Sequence, residues 1–100
     1  MTYYSVLDVS PTTEDWIPAY LKESGPIIKK HGGKYLARTV SHQQLEGNEQ
    51  KAGLRIILEW PSKQAALDFM ADPGYAEHLK ARTEGSISHH YLIEGKDDFA

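Results

Sequence analysis

The chain has 100 residues, 40% of them hydrophobic and 25% charged, with a formal net charge of −3. That describes one globular domain whose core is thin, so an uncovered apolar sheet face is an incentive to associate. With no basic run there is no electrostatic hold on a phosphate backbone, and with no cysteine disulfides, thiolate metal sites and cysteine nucleophiles are excluded.

The lack of cysteine fits a reducing cytoplasm, the expected location. The first twenty residues hold Asp8, Glu14 and Asp15 and no Lys or Arg, unlike a secretory leader. The longest strongly apolar run, Ile56-Ile57-Leu58, is far too short for a membrane span. Neither nucleic acid nor membrane is an expected partner.

Residues 3–9, aromatic and branched, read as a first strand, which Ser10-Pro11 breaks. Thr12 or Thr13 can cap a helix with Glu14 and Asp15 in its first turn. Ile17, Tyr20, Leu21, Ser24, Ile27 and Ile28 give that helix one buried face. Gly25-Pro26 predicts a kink or a division, and His31-Gly32-Gly33 an end. Residues 34–40 form a second strand. A polar connection follows over 41–53, with a brief extended piece at Leu45-Glu46. Residues 54–60 are the clearest strand. Ser62 caps a helix reaching about Ala71, with Ala66, Leu67, Phe69 and Met70 inward. Pro73 opens a short helix that carries Tyr75, Leu79 and Arg82 on one face and stops at Gly85. Residues 87–94 are the last strand, and 96–100 a flexible tail.

The order β-α-β-β-α-β predicts an α+β, ferredoxin-like sandwich whose antiparallel sheet runs 4-1-3-2, as a single domain over residues 1–95. Strict alternation places Leu7, Val9, Tyr35, Ala37, Leu54, Ile56, Leu58, Trp60, His89 and Tyr91 beneath the helices. The opposite face then carries Val6, Leu36, Ile57 and Leu92, rimmed by Asp8, Arg38, Glu59, His90 and Glu94. Burying four such apolar side chains is worth roughly 1.5–3 kcal/mol each. A homodimer enclosing a barrel-like space, with a pocket at its rim, is therefore expected.

These residues resemble the uncharacterised DUF1330 family of the dimeric α/β-barrel superfamily. The resemblance runs through Val6-Leu7-Asp8-Val9, His31-Gly32-Gly33-Lys34-Tyr35-Leu36-Ala37-Arg38 and Leu45-Glu46-Gly47. It continues in Leu58-Glu59-Trp60-Pro61-Ser62 with Ala65-Ala66, in Asp72-Pro73-Gly74-Tyr75 with Leu79 and Arg82, and in Leu92-Ile93-Glu94-Gly95. It implies a ferredoxin-like fold and a dimeric α/β barrel, and no known reaction. The wider superfamily includes cofactor-free monooxygenases, lactone isomerases and haem-binding members, but none of their catalytic motifs can be carried onto this chain. The 41–53 connection and the His89-His90 pair depart from the commoner family form.

Alternation puts Arg38 and Glu59 on neighbouring strands as an anion clamp beside a general base, or as a neutralising ion pair. His90 falls beside Asp8, which can orient it as a base, or it fills the dimer seam. Tyr75 and Arg82 can reach a ligand's ring and carboxylate, or anchor their helix. His42 is a candidate lid residue, and Glu46 a partner for Arg38 or Arg55. No His or carboxylate spacing marks a metal site, and no fingerprint marks a nucleotide or any other cofactor. Two readings compete. One is a cofactor-free enzyme, or binder of a small acidic or aromatic metabolite, with His90 or Glu59 as base. In that reading Arg38, Asp8, Tyr75 and Arg82 bind the ligand. The other is a non-catalytic dimeric module.

Overall fold

The computed structural model describes all 100 residues. Its elements run β1 (Tyr3–Pro11), α1 (Ile17–Lys30), β2 (Lys34–Thr39), β3 (Leu54–Trp60), α2 (Lys63–Met70), α3 (Ala76–Glu84) and β4 (Ser86–Glu94). The four strands form one antiparallel sheet in the order β2-β3-β1-β4. This is the expected 4-1-3-2 sheet read from its other edge, so the fold is the ferredoxin-like α+β sandwich. No helix is long and apolar enough to cross a membrane.

Alternation works as expected on the two central strands. Ser5, Leu7 and Val9 of β1 and Ile56, Leu58 and Trp60 of β3 are buried beneath the helices. Ile28 of α1, Ala66 and Phe69 of α2, and Tyr75 complete the core. The ring of Phe69 links the other two large aromatics, 5.2 Å from Trp60 and 4.2 Å from Tyr75 between centroids. Each buried aromatic contributes well over 100 Å² of burial and about 0.5–1.5 kcal/mol of ring–ring geometry besides.

Helix α1 begins at Ile17, so Glu14 and Asp15 precede its first turn, and Trp16 at the cap position makes no side-chain cap bond. A tertiary contact fixes the entry instead. The Gly85 carbonyl accepts from the Trp16 indole N–H at 3.0 Å and from the backbone N–H groups of Thr12 and Thr13 at 2.8 and 3.2 Å. The helix runs unbroken past Gly25-Pro26. Proline removes one ladder donor there, and the turns on either side carry the helix through. At the other end Gly32 takes φ 79°, a left-handed cap that favours glycine. A Cβ on Gly33 would lie 2.6 Å from the Trp60 ring and 2.7 Å from Ile28, so that position is glycine for close approach.

Ser62 caps α2 as expected, its Oγ accepting from the Ala65 N–H at 3.1 Å. Leu67, expected inside, is exposed. Helix α3 starts at Ala76 rather than Pro73, because the Asp72 carboxylate accepts from the Gly74 N–H at 2.8 Å and holds a turn there. Residues 40–53 contain no strand. Gln44 organises that connection, donating to the carbonyls of Glu46 and Asn48 and accepting from the Gln50 N–H.

The two outer strands overturn the expected faces. On β4 the register is Leu7↔His90, Val9↔Ser88 and Ser5↔Leu92, so Ser88, His90 and Leu92 lie on the helix side. Ile87, His89, Tyr91 and Ile93 are exposed on the other. A hydrophobic count misassigns this strand because two inward side chains, Ser88 and His90, are polar and satisfied by hydrogen bonds. On β2 a bulge between Tyr35 and Ala37 makes Leu36 an extra residue. One added residue reverses every later side chain. Ala37 therefore pairs with Ile57 on the uncovered face, and Arg38 with Ile56 on the covered one.

Candidate functional site

Between α1, α3 and the covered face of the sheet lies a cavity of about 80 Å³. Its walls are mainly apolar, including Leu7, Val9, Leu54, Ile56 and Phe69, with Leu21 at an exposed position. Five side chains bring chemistry to it: Tyr20, Arg38, Tyr75, Arg82 and His90. No aspartate or glutamate lines it. The same five residues come from four different elements and the α2–α3 turn, so only the folded topology assembles them.

Arg82 is the most unusual of them. It is 4% exposed and takes part in no ion pair, since the chain's close pairs involve only lysines and histidines on the cationic side. One guanidinium nitrogen donates to Ser88 Oγ at 2.9 Å. Its Nε is sealed from solvent with no partner. A buried guanidinium ordinarily finds a carboxylate, because an uncompensated buried charge costs several kcal/mol. Here five donors in a fixed fork answer to a single serine hydroxyl.

Two tyrosines line the same cavity. Tyr20 and Tyr75 share a hydroxyl–hydroxyl hydrogen bond of 2.5 Å. Burial, then the neighbouring Tyr75, raises the Tyr20 pKa, so the Tyr20 phenol keeps its proton. One O–H is spent on the pair and the other is free to donate. Arg38 packs over the Tyr35 ring, 4.1 Å from its centroid, and adds a second positive charge to the cavity wall.

His90 accompanies them through the hydrogen bond between its Nε2 and Ser5 Oγ at 2.8 Å. Ser5 is itself fully buried and accepts from the Trp60 indole N–H at 2.8 Å. Burial first, and then the positive charge of Arg82, push the His90 pKa down to about 4. The imidazole is therefore neutral at pH 7.

Of the residues anticipated as a site, Tyr75, Arg82, Arg38 and His90 meet in this cavity, and Asp8 and Glu59 do not. Arg38 and Glu59 occupy opposite faces because of the β2 bulge, so no clamp-and-base pair forms. His89, not His90, meets Asp8, at 2.8 Å on the uncovered face. Glu59 pairs in register with Lys34 and Tyr4 on that same face. Glu46 pairs with neither arginine. Arg55 instead donates to His42 Nδ1 at 3.4 Å and to the Gln50 carbonyl at 3.3 Å. Sequence reasoning passed over Tyr20, Ser5 and Ser88. The available signal was a serine in the middle of an apolar strand, which in a core has to find partners.

Two further clusters lie outside the cavity. Asp72, buried near the end of α1, accepts from His31 at 2.7 Å and Lys30 at 3.1 Å. The His31 bond first, then the Gly74 N–H and Lys30, hold its carboxyl down at about 2. It ties the α2–α3 turn to α1. Glu23, Glu77 and His78 converge with their ligand atoms within 4.8 Å of one another, a grouping that sequence spacing does not show. His78 is buried and bonds Glu23 at 2.7 Å, which staples α3 to α1.

No curated protein matches the chain. Among solved structures it is similar to the RPA0582 protein of unknown function from Rhodopseudomonas palustris, with TM-score 0.77 and 21% identity over 96% of this chain and 83% of that one. It is also similar to SnoaB, a cofactor-independent oxygenase from Streptomyces nogalater, with TM-score 0.58 and 16% identity over 96% and 92%. A NIPSNAP family protein of unknown function from Agrobacterium tumefaciens gives TM-score 0.54 and 20% identity over 97% and 90%. Identities this low speak to the fold alone. Residues 2–96 match the domain of unknown function DUF1330, and the chain belongs to that family.

Proposed function

We propose that the covered cavity, rather than the uncovered face, is the working site, and that it takes a small carboxylic acid with an apolar or aromatic body. The observation that carries this reading is Arg82, a buried cation facing an apolar cavity with no anion in the protein to neutralise it. A ligand carboxylate answers that charge bidentately. The Tyr20–Tyr75 pair and Arg38 complete an anion-binding end, and Leu7, Val9, Ile56 and Phe69 receive the apolar end. Any reaction there proceeds by stabilising negative charge that develops on the substrate. The likeness to a cofactor-independent oxygenase is compatible with such chemistry. A binding role without turnover uses the same contacts.

The test is calorimetric titration with phenylacetate and with its uncharged amide, phenylacetamide. The acid binds and raises the melting temperature, the amide does neither, and Arg82→Gln removes the difference. Equal binding of acid and amide, or unchanged acid binding by Arg82→Gln, contradicts the reading.

We also infer that the uncovered face takes a second copy of the chain. Ala37, Ile57, Val6 and Tyr91 lie side by side across it, and the next row is Thr39, Arg55, Asp8 and His89. An apolar row flanked by charges of both signs is self-complementary under a two-fold axis. Val6, Leu36, Ile57, Ile87, Tyr91 and Ile93 are all exposed on the lone protomer, a patch that monomers rarely keep in water. In this reading Asp8 and Glu59 set dimer register rather than perform catalysis. Sedimentation equilibrium of the wild-type protein gives twice the protomer mass, and a protomer mass at micromolar concentration contradicts it.

A further inference from the structure

We infer that Ser5 and Trp60 fix His90 as a neutral imidazole with its proton on Nδ1, so that the charged end of the cavity is dominated by hydrogen-bond donors and selects acids carrying a second acceptor oxygen. This rests on the cavity being the ligand site and adds to it the role of His90 and the class of acid.

The argument follows the protons. An indole N–H can only donate, so the 2.8 Å contact makes Ser5 Oγ the acceptor from Trp60. Ser5 is 0% exposed, and the one other partner of its hydroxyl is His90 Nε2, also at 2.8 Å. If Nε2 carried a proton, two N–H groups would converge on one oxygen. The serine hydroxyl proton would then be left without an acceptor in a sealed site, a loss of about 1–3 kcal/mol. With Nε2 as acceptor the chain is satisfied throughout: indole N–H to Ser5 Oγ, and Ser5 O–H to imidazole Nε2. The ring proton then resides on Nδ1. Nδ1 has no partner in the protein and is not among the sealed unpaired atoms.

The chemical consequence reverses the obvious role for this histidine. Its basic lone pair is occupied, so it is not a general base. It is a fixed neutral donor, able to polarise an oxygen without delivering a full charge. The other polar groups around the cavity agree in sign. Arg82 and Arg38 can only donate, the Tyr20–Tyr75 pair has one O–H left over, and the lining phenols, Tyr35 included, accept only through weak neutral oxygens. No carboxylate lines the space. A simple carboxylate uses the arginine end and leaves the His90 N–H unmet. An acid with a carbonyl oxygen beside its carboxylate meets both. Ser5 and Trp60 are positioning residues, since they act through His90.

The experiment has two independent arms. Nitrogen-15 NMR of ligand-free wild-type protein reports the tautomer directly, a pyrrole-type Nδ1 and a pyridine-type Nε2 for His90 being expected. The reverse assignment overturns the inference, whatever the cavity binds. Titration with benzoylformate and phenylacetate, which differ by one oxo oxygen, then reads selectivity. Benzoylformate is expected to bind about tenfold more tightly, the worth of one good hydrogen bond. Ser5→Ala is expected to mix the tautomers and to shrink that preference while both acids still bind. Equal affinities in the wild type with Nδ1–H present overturn the selectivity. Failure of both acids to bind, with the tautomer as expected, overturns the cavity reading and the acid class together and leaves the proton assignment standing. Should Ser5→Ala not fold, Trp60→Phe with the wild-type measurements keeps the same outcomes readable.

Discussion

The two faces of one sheet have been solved in different ways. On the covered side, polar groups are few and most are tied by a named bond, Trp60 to Ser5, Ser5 to His90 and Arg82 to Ser88, while Arg82 Nε is left unpaired. On the uncovered side, polar side chains sit beside apolar neighbours, as Asp8 and His89 do next to Val6 and Tyr91. In the proposed reading the first pattern selects the ligand, because a buried guanidinium without a carboxylate favours an anion. In the same reading the second governs self-association. A site defined by exposed charged residues alone lands on the second face. A site defined by incomplete pairing lands on the first.

The largest expected effect falls on the covered side. Trp60→Ala removes a core aromatic and frees Ser5, and it is expected to destabilise the fold by about 3–5 kcal/mol in urea titrations. A loss below 1 kcal/mol would show that the aromatic cluster is not the centre of the core. Gly33→Ala follows, since its new Cβ meets Trp60 and Ile28 well inside contact distance. A loss of about 1–3 kcal/mol is expected, and a neutral result breaks the account of that turn.

How far the fold could be read from the residues depends on how each strand is bounded. Strands β1 and β3 are central, so their apolar parity has to match the helix layer. Leu7-Val9 and Ile56-Leu58-Trp60 were legible for that reason. The edge strands have only one neighbour and tolerate exceptions. On β4, Ile87, Tyr91 and Ile93 are the more apolar set yet face outward, because Ser88 and His90 are claimed by Arg82 and Ser5. On β2, nothing in Tyr35-Leu36-Ala37 announces a bulge, and that one residue moves Arg38 from one face to the other. Tyr75 and Arg82 were legible from helical spacing, while Tyr20 read as ordinary core. The absence of an acidic partner for Arg82 belongs to three-dimensional arrangement and has no trace in the sequence.

Acid sharpens the contrast. The folded-state pKa of His90 lies below its unfolded value of 6.5, so between pH 6.5 and about 4 the unfolded chain binds more protons. Stability is full above pH 6.5 and falls as pH drops through that window. Discounted for partial exposure, the loss is about 1–2 kcal/mol, and His90→Phe is expected to remove it. Asp72, held at about 2, keeps its contribution above its unfolded value of 3.8 and loses it as pH falls toward 2, so its effect lies in a separate, lower window. A wild-type urea midpoint unchanged between pH 6.5 and 4.5 contradicts the environment assigned to His90.

The smallest effect on protomer stability is expected on the open face. Tyr91→Thr changes a 67% exposed side chain and should alter the unfolding free energy of an isolated protomer by no more than about 0.5 kcal/mol. It should nevertheless weaken self-association in sedimentation. Unchanged association would remove Tyr91 from the interface.

The most direct measurement of the central claim is an NMR titration of the protein with phenylacetate, read residue by residue. The account predicts that the shifts concentrate on Tyr20, Tyr75, Arg82 and His90, around the cavity beneath α1 and α3. Shifts concentrated on Asp8, Glu59 and His89 instead would place the ligand on the uncovered face and contradict it.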